Sequence, residues 1–285
     1  MTEIPATPEP NDGYSGATWN NVRKSARNTN YDWYVAALLS PRRARFNLMT
    51  LAAFAGEVAR IPGLVREPMM GEIRLQWWRD ALERPAFEPT GNPVADALRQ
   101  VMASRKLPVG LLVGIIDAHE AELKPDGLAD QNALDHHFIK SYGAQIALAA
   151  RVLETHNNRS ALQDLPDIGI FPSLAATAGR AYGHAMLAAN LARSYRGGVE
   201  PLPTDRLNRS RAEARDALFT LQGEALTIGK HLRPALLPVA LVGFYLQASE
   251  HHMSGDAKSN YGARYEVSEL SKTWRMLMAY WLGRV

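Results

Sequence analysis

The chain has 285 residues, 46% of them apolar and 21% charged, which is ordinary globular usage and excludes a disordered polypeptide. It contains no cysteine, so a disulfide framework, a Cys-ligated zinc site, an iron–sulfur cluster and a thiol nucleophile are excluded. With 32 basic against 29 acidic residues, the net charge of +3 is too balanced for a nucleic-acid binder recognised by charge, although a pI of 9.1 permits weak attraction to anionic surfaces.

The chain opens on MTEIPATPEPNDGYSG, a polar, Pro-rich stretch without the basic start and apolar core of a secretion signal, and residues 1 to about 25 read as a disordered tail. A folded domain is then expected over 26–285. Ser40-Pro41 is a cap followed by a first-turn proline, after which Leu48, Leu51, Ala52, Ala55 and Val58 fall on one helical face until Pro62-Gly63 stops it. Glu67-Pro68 opens a second helix carrying Ile73, Trp77 and Trp78, which ends before Pro85. Arg74, four residues before Trp78, is within reach of its ring for cation–π contact; the plainer reading is an aromatic anchor with snorkelling arginines.

Helical spacing continues over about 93–105, 108–123, 131–154, 170–195, 209–232, 236–252 and 266–283. Breaks fall at Lys124-Pro125-Asp126-Gly127, at Asn157-Asn158 and from Arg196 through Pro203. Strand alternation and β-turn dipeptides are nearly absent, so the fold class is all-α, one domain of about nine or ten helices. No run approaches the ~20 apolar residues of a spanning helix; the best, Ala235 to Tyr245, is short and contains Pro238. A cytoplasmic location is expected, with peripheral membrane contact allowed.

Nucleotide and serine-hydrolase signatures are missing, as is HExxH. The pairs His136-His137 and His251-His252 point about 100° apart on a helix, so neither chelates one ion from one face, and surface or turn histidines are expected. Asp117 and Glu120 share a face that can hold a cation, yet together with His119 and Glu122 they read more simply as a solvated polar stripe. In 170–195, Ala181, Ala185, Ala188 and Ala192 form a small-residue stripe that lets two helix axes approach, beside Tyr182, Met186, Asn190 and Arg193.

Two blocks carry a resemblance. Asp32-Trp33-Tyr34, Leu38-Leu39, Pro41-Arg42-Arg43, Leu51-Ala52-Ala53-Phe54, Glu57-Val58-Ala59-Arg60 and the GEIRLQWWRD run from Gly71 to Asp80 form the first. Gly183-His184-Ala185, Asn190-Leu191-Ala192-Arg193 and Leu202-Pro203 form the second, and the stretch from Trp274 to Trp281 fits as an ending. The chain resembles the squalene/phytoene synthase family. The resemblance implies a single-domain isoprenoid-synthase-type helical bundle around a central apolar cavity. It also implies head-to-head joining of prenyl diphosphates, such as farnesyl or geranylgeranyl diphosphate, with Mg²⁺ ions held by aspartates on two facing helices.

The matching positions lack those carboxylates. The aspartate pair of the first motif falls on Ala59 and Arg60, its third aspartate on Gly63 and the preceding arginine on Gly56. In the second motif Leu187 replaces a glutamine and Ser194 an aspartate, while Asn190 and Arg193 are kept. Glu57 and Glu200 are the nearest substitutes, and Glu57 sits one turn from Arg60, close enough to pair with it. Ionising an allylic diphosphate without its metal cluster forfeits several kcal/mol of transition-state stabilisation.

The pattern is most similar to the degenerate branch that includes the phytoene-synthase-like mitochondrial complex I assembly factor. The expected protein is non-catalytic, binding an isoprenoid-like lipid or a membrane protein complex, with no catalytic residue, no metal and no cofactor. Arg60, Arg74, Tyr182, Asn190 and Arg193 are the candidate ligand-binding residues. Arg60 and Arg193 either hold an anionic head directly or form a salt bridge that plugs the vacated site. The alternative is an active Mg²⁺-dependent prenyltransferase. The aromatic C-terminal segment (Trp274, Tyr280, Trp281) is either a docking helix or a core helix, and core is favoured.

Overall fold

A computed structural model describes residues 16–85, 88–157, 171–196, 204–224, 228–251 and 267–283, with side chains left out at 156–157, 171, 192–196, 224 and 251. Helices joined by short turns account for most of the described residues and no strand occurs among them, as the spacing requires. They are α1 (Gly16–Thr29), α2 (Tyr31–Leu39), α3 (Arg45–Ala59), α4 (Ile61–Leu64), α5 (Pro68–Glu83), α6 (Pro93–Arg105), α7 (Val109–Ala121), α8 (Gln131–Phe138), α9 (Ala144–Asn157), α10 (Phe171–Arg196), α11 (Thr204–Glu224), α12 (Val242–His251) and α13 (Glu269–Leu282).

The expected tail is corrected from Gly16 onward. Residues 16–29 are helical, and Val22 and Ala26 are fully buried against the bundle. The apolar face is narrow, Val22 and Ala26 joined by the half-buried Trp19, which stacks on Phe46 at 5.3 Å; residues 1–15 lie outside the described residues.

Helix α3 is the core of the bundle. The stripe Leu48, Leu51, Ala52, Ala55 and Val58 is buried, and so are Phe46, Met49 and Phe54 on the other sides, so α3 is surrounded rather than laid on one surface. The expected 131–154 helix is continuous but contains a π-helical turn at Ile139–Gly143 between α8 and α9. That turn presents Gly143 to α10. A Cβ on Gly179 would lie 2.4 Å from the Gly143 nitrogen, and one on Gly183 would lie 2.2 Å from the Phe138 ring. With Ala181, Ala185 and Ala188 fully buried, these glycines let α10 approach both α8 and the π turn. Ala192 lies outside the described side chains.

Local signals set several boundaries. Asn92 caps α6, its side-chain oxygen accepting from the Val94 and Ala95 amides at 2.8 and 3.1 Å. Asp130 caps α8 through the Ala133 amide at 2.7 Å. Residues 233–241 form a 3₁₀ segment before α12, because Pro234 and Pro238 withhold amide donors where an α-helix over 236–252 was expected. The breaks expected at Asn157-Asn158 and Arg196–Pro203 fall largely outside the described residues.

Candidate functional site

At the centre of the bundle a buried carboxylate from the second helix meets partners from far along the chain. Asp32 accepts hydrogen bonds from the Tyr182 hydroxyl of α10 at 2.5 Å, from the Tyr245 hydroxyl of α12, and from the Lys272 ammonium of α13 at 3.0 Å. Lys272 also lies over the Tyr245 ring, 5.2 Å from its centroid. Trp33 meets Tyr182 edge-on at 4.7 Å and stacks on Tyr142 at 5.8 Å; Phe138 stacks on Tyr142 at 6.0 Å. Burial first, and the Asp32 carboxylate second, push the Tyr182 and Tyr245 hydroxyls far above the ordinary phenol value, so both stay protonated donors. Tyr182, a candidate from the sequence, is therefore part of a buried cluster in which its hydroxyl is already engaged by Asp32, while the buried Trp33 indole nitrogen has no hydrogen-bond partner among the described residues. Asp32, Tyr245 and Lys272 were not singled out as site residues, although an aspartate inside the apolar YDWYVAALL run was a legible sign of a buried, paired charge.

A second region lies on the outside of α3–α6. Glu57, Arg60, Ile61, Leu64, Arg74, Trp77, Trp78 and Asn92 line an open pocket of about 410 Å³. Two sequence candidates, Arg60 and Arg74, thus share one pocket. Both side chains are exposed, and among the described residues neither is hydrogen-bonded or ion-paired. The pairing expected between Glu57 and Arg60 is not formed. Glu57 accepts instead from the Ser25 hydroxyl at 2.6 Å and the Asn92 amide at 3.4 Å, because α1 and the α6 cap bring donors nearer than the solvated guanidinium. The cation–π contact expected between Arg74 and Trp78 is also absent. Trp78 is buried edge-on against Phe54 at 5.3 Å and Trp77 at 5.1 Å, while Arg74 stays in solvent.

Magnesium, which the family's fold implies, takes hard oxygen ligands in octahedral geometry. The donors around this pocket are two guanidiniums, two indoles, an amide that is already a helix cap, and one carboxylate held by a hydroxyl and an amide. They do not fit the ion. The arrangement is suited to an anion: charge-assisted donors beside an indole wall.

Asn190, on α10, is exposed and lies on a different helix from that pocket; Arg193 lies outside the described side chains, so its reading stays with the sequence. The structure also places the other titratable groups. Asp117 and Glu120 do hold a cation, the Arg79 guanidinium, at 2.7 and 2.5 Å, which ties α5 to α7. His137 is buried rather than at the surface, its Nδ1 bonded to the Ala118 carbonyl at 2.9 Å. His251 and His252 lie outside the described side chains. The C-terminal helix is corrected as well: Trp274 is 64% and Trp281 76% exposed, because α13 docks through Lys272, Met276 and Ala279 on its opposite face.

Comparison with known proteins follows the same lines. Complex I assembly factor 6 of Mus musculus is 28% identical over 128 residues, which is 45% of this chain and 38% of that protein. The Homo sapiens protein of the same name is 26% identical over 128 residues, with the same coverage. A Drosophila melanogaster homologue is 34% identical over 98 residues, 32% of this chain and 29% of that protein. The aligned region therefore spans well under half of each of these relatives. The family model described as squalene/phytoene synthase matches residues 26–226, taking in α2 through α10 and the described part of α11, with the Arg60–Arg74 pocket and the Asp32–Tyr182 part of the buried cluster; Tyr245 and Lys272 lie beyond the match. The chain belongs to the squalene/phytoene synthase family.

Proposed function

We propose that this chain is a non-catalytic family member that serves in the assembly of a respiratory NADH dehydrogenase complex. The observation that carries the reading is the passage from α3 into α4, where Ala59, Arg60 and Gly63 stand in place of the family's metal-binding aspartates and Arg60 shares its pocket with Arg74. The relatives named as complex I assembly factor 6 support it. Losing the carboxylates removes the means of neutralising a departing diphosphate, so the bundle serves as a binding scaffold.

Two exposed apolar stripes support a partner-facing role. Met69, Ile73 and Trp77 recur every four residues along α5, beside Leu64; Leu270, Trp274 and Trp281 line α13. Contiguous exposed apolar surface of this kind is a feature of interaction sites. Among the described residues no helix is long and apolar enough to cross a membrane. The 410 Å³ pocket takes an anionic amphiphile, the head against Arg60 and Arg74 and the apolar part against Ile61, Leu64 and Trp77.

The test has two arms. Incubation with farnesyl or geranylgeranyl diphosphate and Mg²⁺ is expected to yield no apolar product; turnover abolished by a chelator overturns the reading. Deleting the gene in its own source is expected to reduce assembled NADH dehydrogenase on native gels. Unchanged assembly overturns it equally.

A further inference from the structure

We propose that His119, Glu122 and His137 form a binding site for a zinc-like divalent metal ion where α7 meets α8. His119 lies in the last turn of α7 and Glu122 three residues on, so both project from one face; His137 comes from α8, across the 122–130 connection. One carboxylate oxygen of Glu122 is 2.6 Å from His119 Nδ1 and 3.5 Å from His137 Nε2, and the ligand atoms all lie within 4.8 Å of one another. Tetrahedral zinc, with bonds of about 2.0–2.2 Å to nitrogen and oxygen, sets neighbouring ligand atoms about 3.3 Å apart. The His137 contact already has that spacing. The His119 contact needs to open by about 0.7 Å, within reach of a rotation of the Glu122 side chain, which is 30% exposed.

The surroundings prepare the two imidazoles as ligands. His137 Nδ1 donates to the Ala118 carbonyl at 2.9 Å, which leaves the Nε2 lone pair facing His119 and Glu122. Both rings are buried, 4% and 7% exposed, and meet edge-on with centroids 5.3 Å apart. Burial, with His119 next, lowers the His137 pKa and favours the neutral form that binds metal. Two imidazoles and one carboxylate select zinc or cobalt over magnesium or calcium, and three protein ligands leave a fourth position open on the Glu122 side.

A second grouping makes the contrast. Asp135, His184 and Glu213 also converge, but there the Arg180 guanidinium is ion-paired with both carboxylates, at 3.2 Å to Asp135 and 2.8 Å to Glu213. That charge is already matched by a side-chain cation. Around Glu122, among the described residues, the ion-pairing partners are the two imidazoles alone.

The test uses the full chain, purified without a polyhistidine tag and stripped with chelator. Calorimetric titration with Zn²⁺ is expected to give one ion per chain, and Co²⁺ to give the visible absorption of a tetrahedral nitrogen–oxygen site. Glu122→Gln and His119→Gln should each weaken Zn²⁺ binding at least about tenfold. Glu122→Gln, at the most exposed of the three positions, is expected to leave the melting temperature of the metal-free protein unchanged, so the comparison does not depend on either buried imidazole. His184→Gln should leave Zn²⁺ affinity as it was. Absence of stoichiometric binding, or binding that survives Glu122→Gln and is lost in His184→Gln, overturns the proposal.

Discussion

The centre of the bundle and the outer end of α3 are electrostatic opposites. At the centre a single carboxylate, Asp32, is enclosed by an ammonium and two phenols, and every partner is itself buried or half-buried. At the outer end two guanidiniums, Arg60 and Arg74, face solvent beside an indole wall, and the one nearby carboxylate is engaged elsewhere. The first arrangement is costly to disturb. The second contributes little to stability and is free to meet a ligand. Within one fold, charge buried and paired serves architecture, and exposed charge is left without a structural partner.

The largest expected effect breaks the central side of this contrast. Asp32→Ala leaves the Lys272 ammonium and two buried hydroxyls without their acceptor and should cost about 3–5 kcal/mol in denaturant unfolding. A loss below 1 kcal/mol would place the cluster among ordinary surface pairs. Next, Gly179→Ala drives a Cβ against the Gly143 and Phe138 backbone, where nothing can rotate away, and should cost about 1–3 kcal/mol by the same measurement.

A pH scan sharpens the comparison through a third, intermediate group. His184 is buried against Phe138; desolvation lowers its pKa below the ordinary 6.5, partly countered by its hydrogen bond to Asp135 and by Glu213, with Arg180 nearby acting in the same direction as burial. A histidine with a depressed folded pKa binds protons more readily when unfolded. Its contribution to stability is therefore complete above the unfolded value and is lost as pH falls from there towards the folded value. The melting temperature should drop on acidification below 6.5, and His184→Gln should flatten that slope.

The smallest effects on stability belong to the outer region. Arg60→Glu with Arg74→Glu should change unfolding free energy by no more than about 0.5 kcal/mol, yet abolish co-sedimentation with phosphatidylglycerol vesicles. Trp274→Ser with Trp281→Ser should be equally mild for folding while weakening capture of the NADH dehydrogenase complex. A large destabilisation from either pair would mean that these side chains belong to the core, against their exposure.

Much of the helical layout was legible in the sequence. The α3 stripe, the Pro62-Gly63 stop, and the start and end of α5 all follow from periodicity and proline chemistry. Helix α1 was hidden because it offers the core only two fully buried residues. The missing aspartates were readable because absence at a fixed spacing is a local fact. Of the sites, Arg60, Arg74 and Tyr182 were singled out, but the Asp32 cluster and the His119–Glu122–His137 group were not, because their members are distant in sequence. Asp32 meets partners 150, 213 and 240 residues away, and His119 and His137 sat in separate local groups, each read within its own helix. Proximity across a loop has no signature in either segment alone.

The bond between Asp32 and Lys272 has a temporal consequence. A chain emerging from the ribosome produces Asp32 long before Lys272, and the neutralising cation arrives 240 residues later. Until then the partners available to this carboxylate are the Tyr182 and Tyr245 hydroxyls, neither of which carries a compensating positive charge. A copy that stops before α13 therefore holds a buried negative charge without its counter-ion.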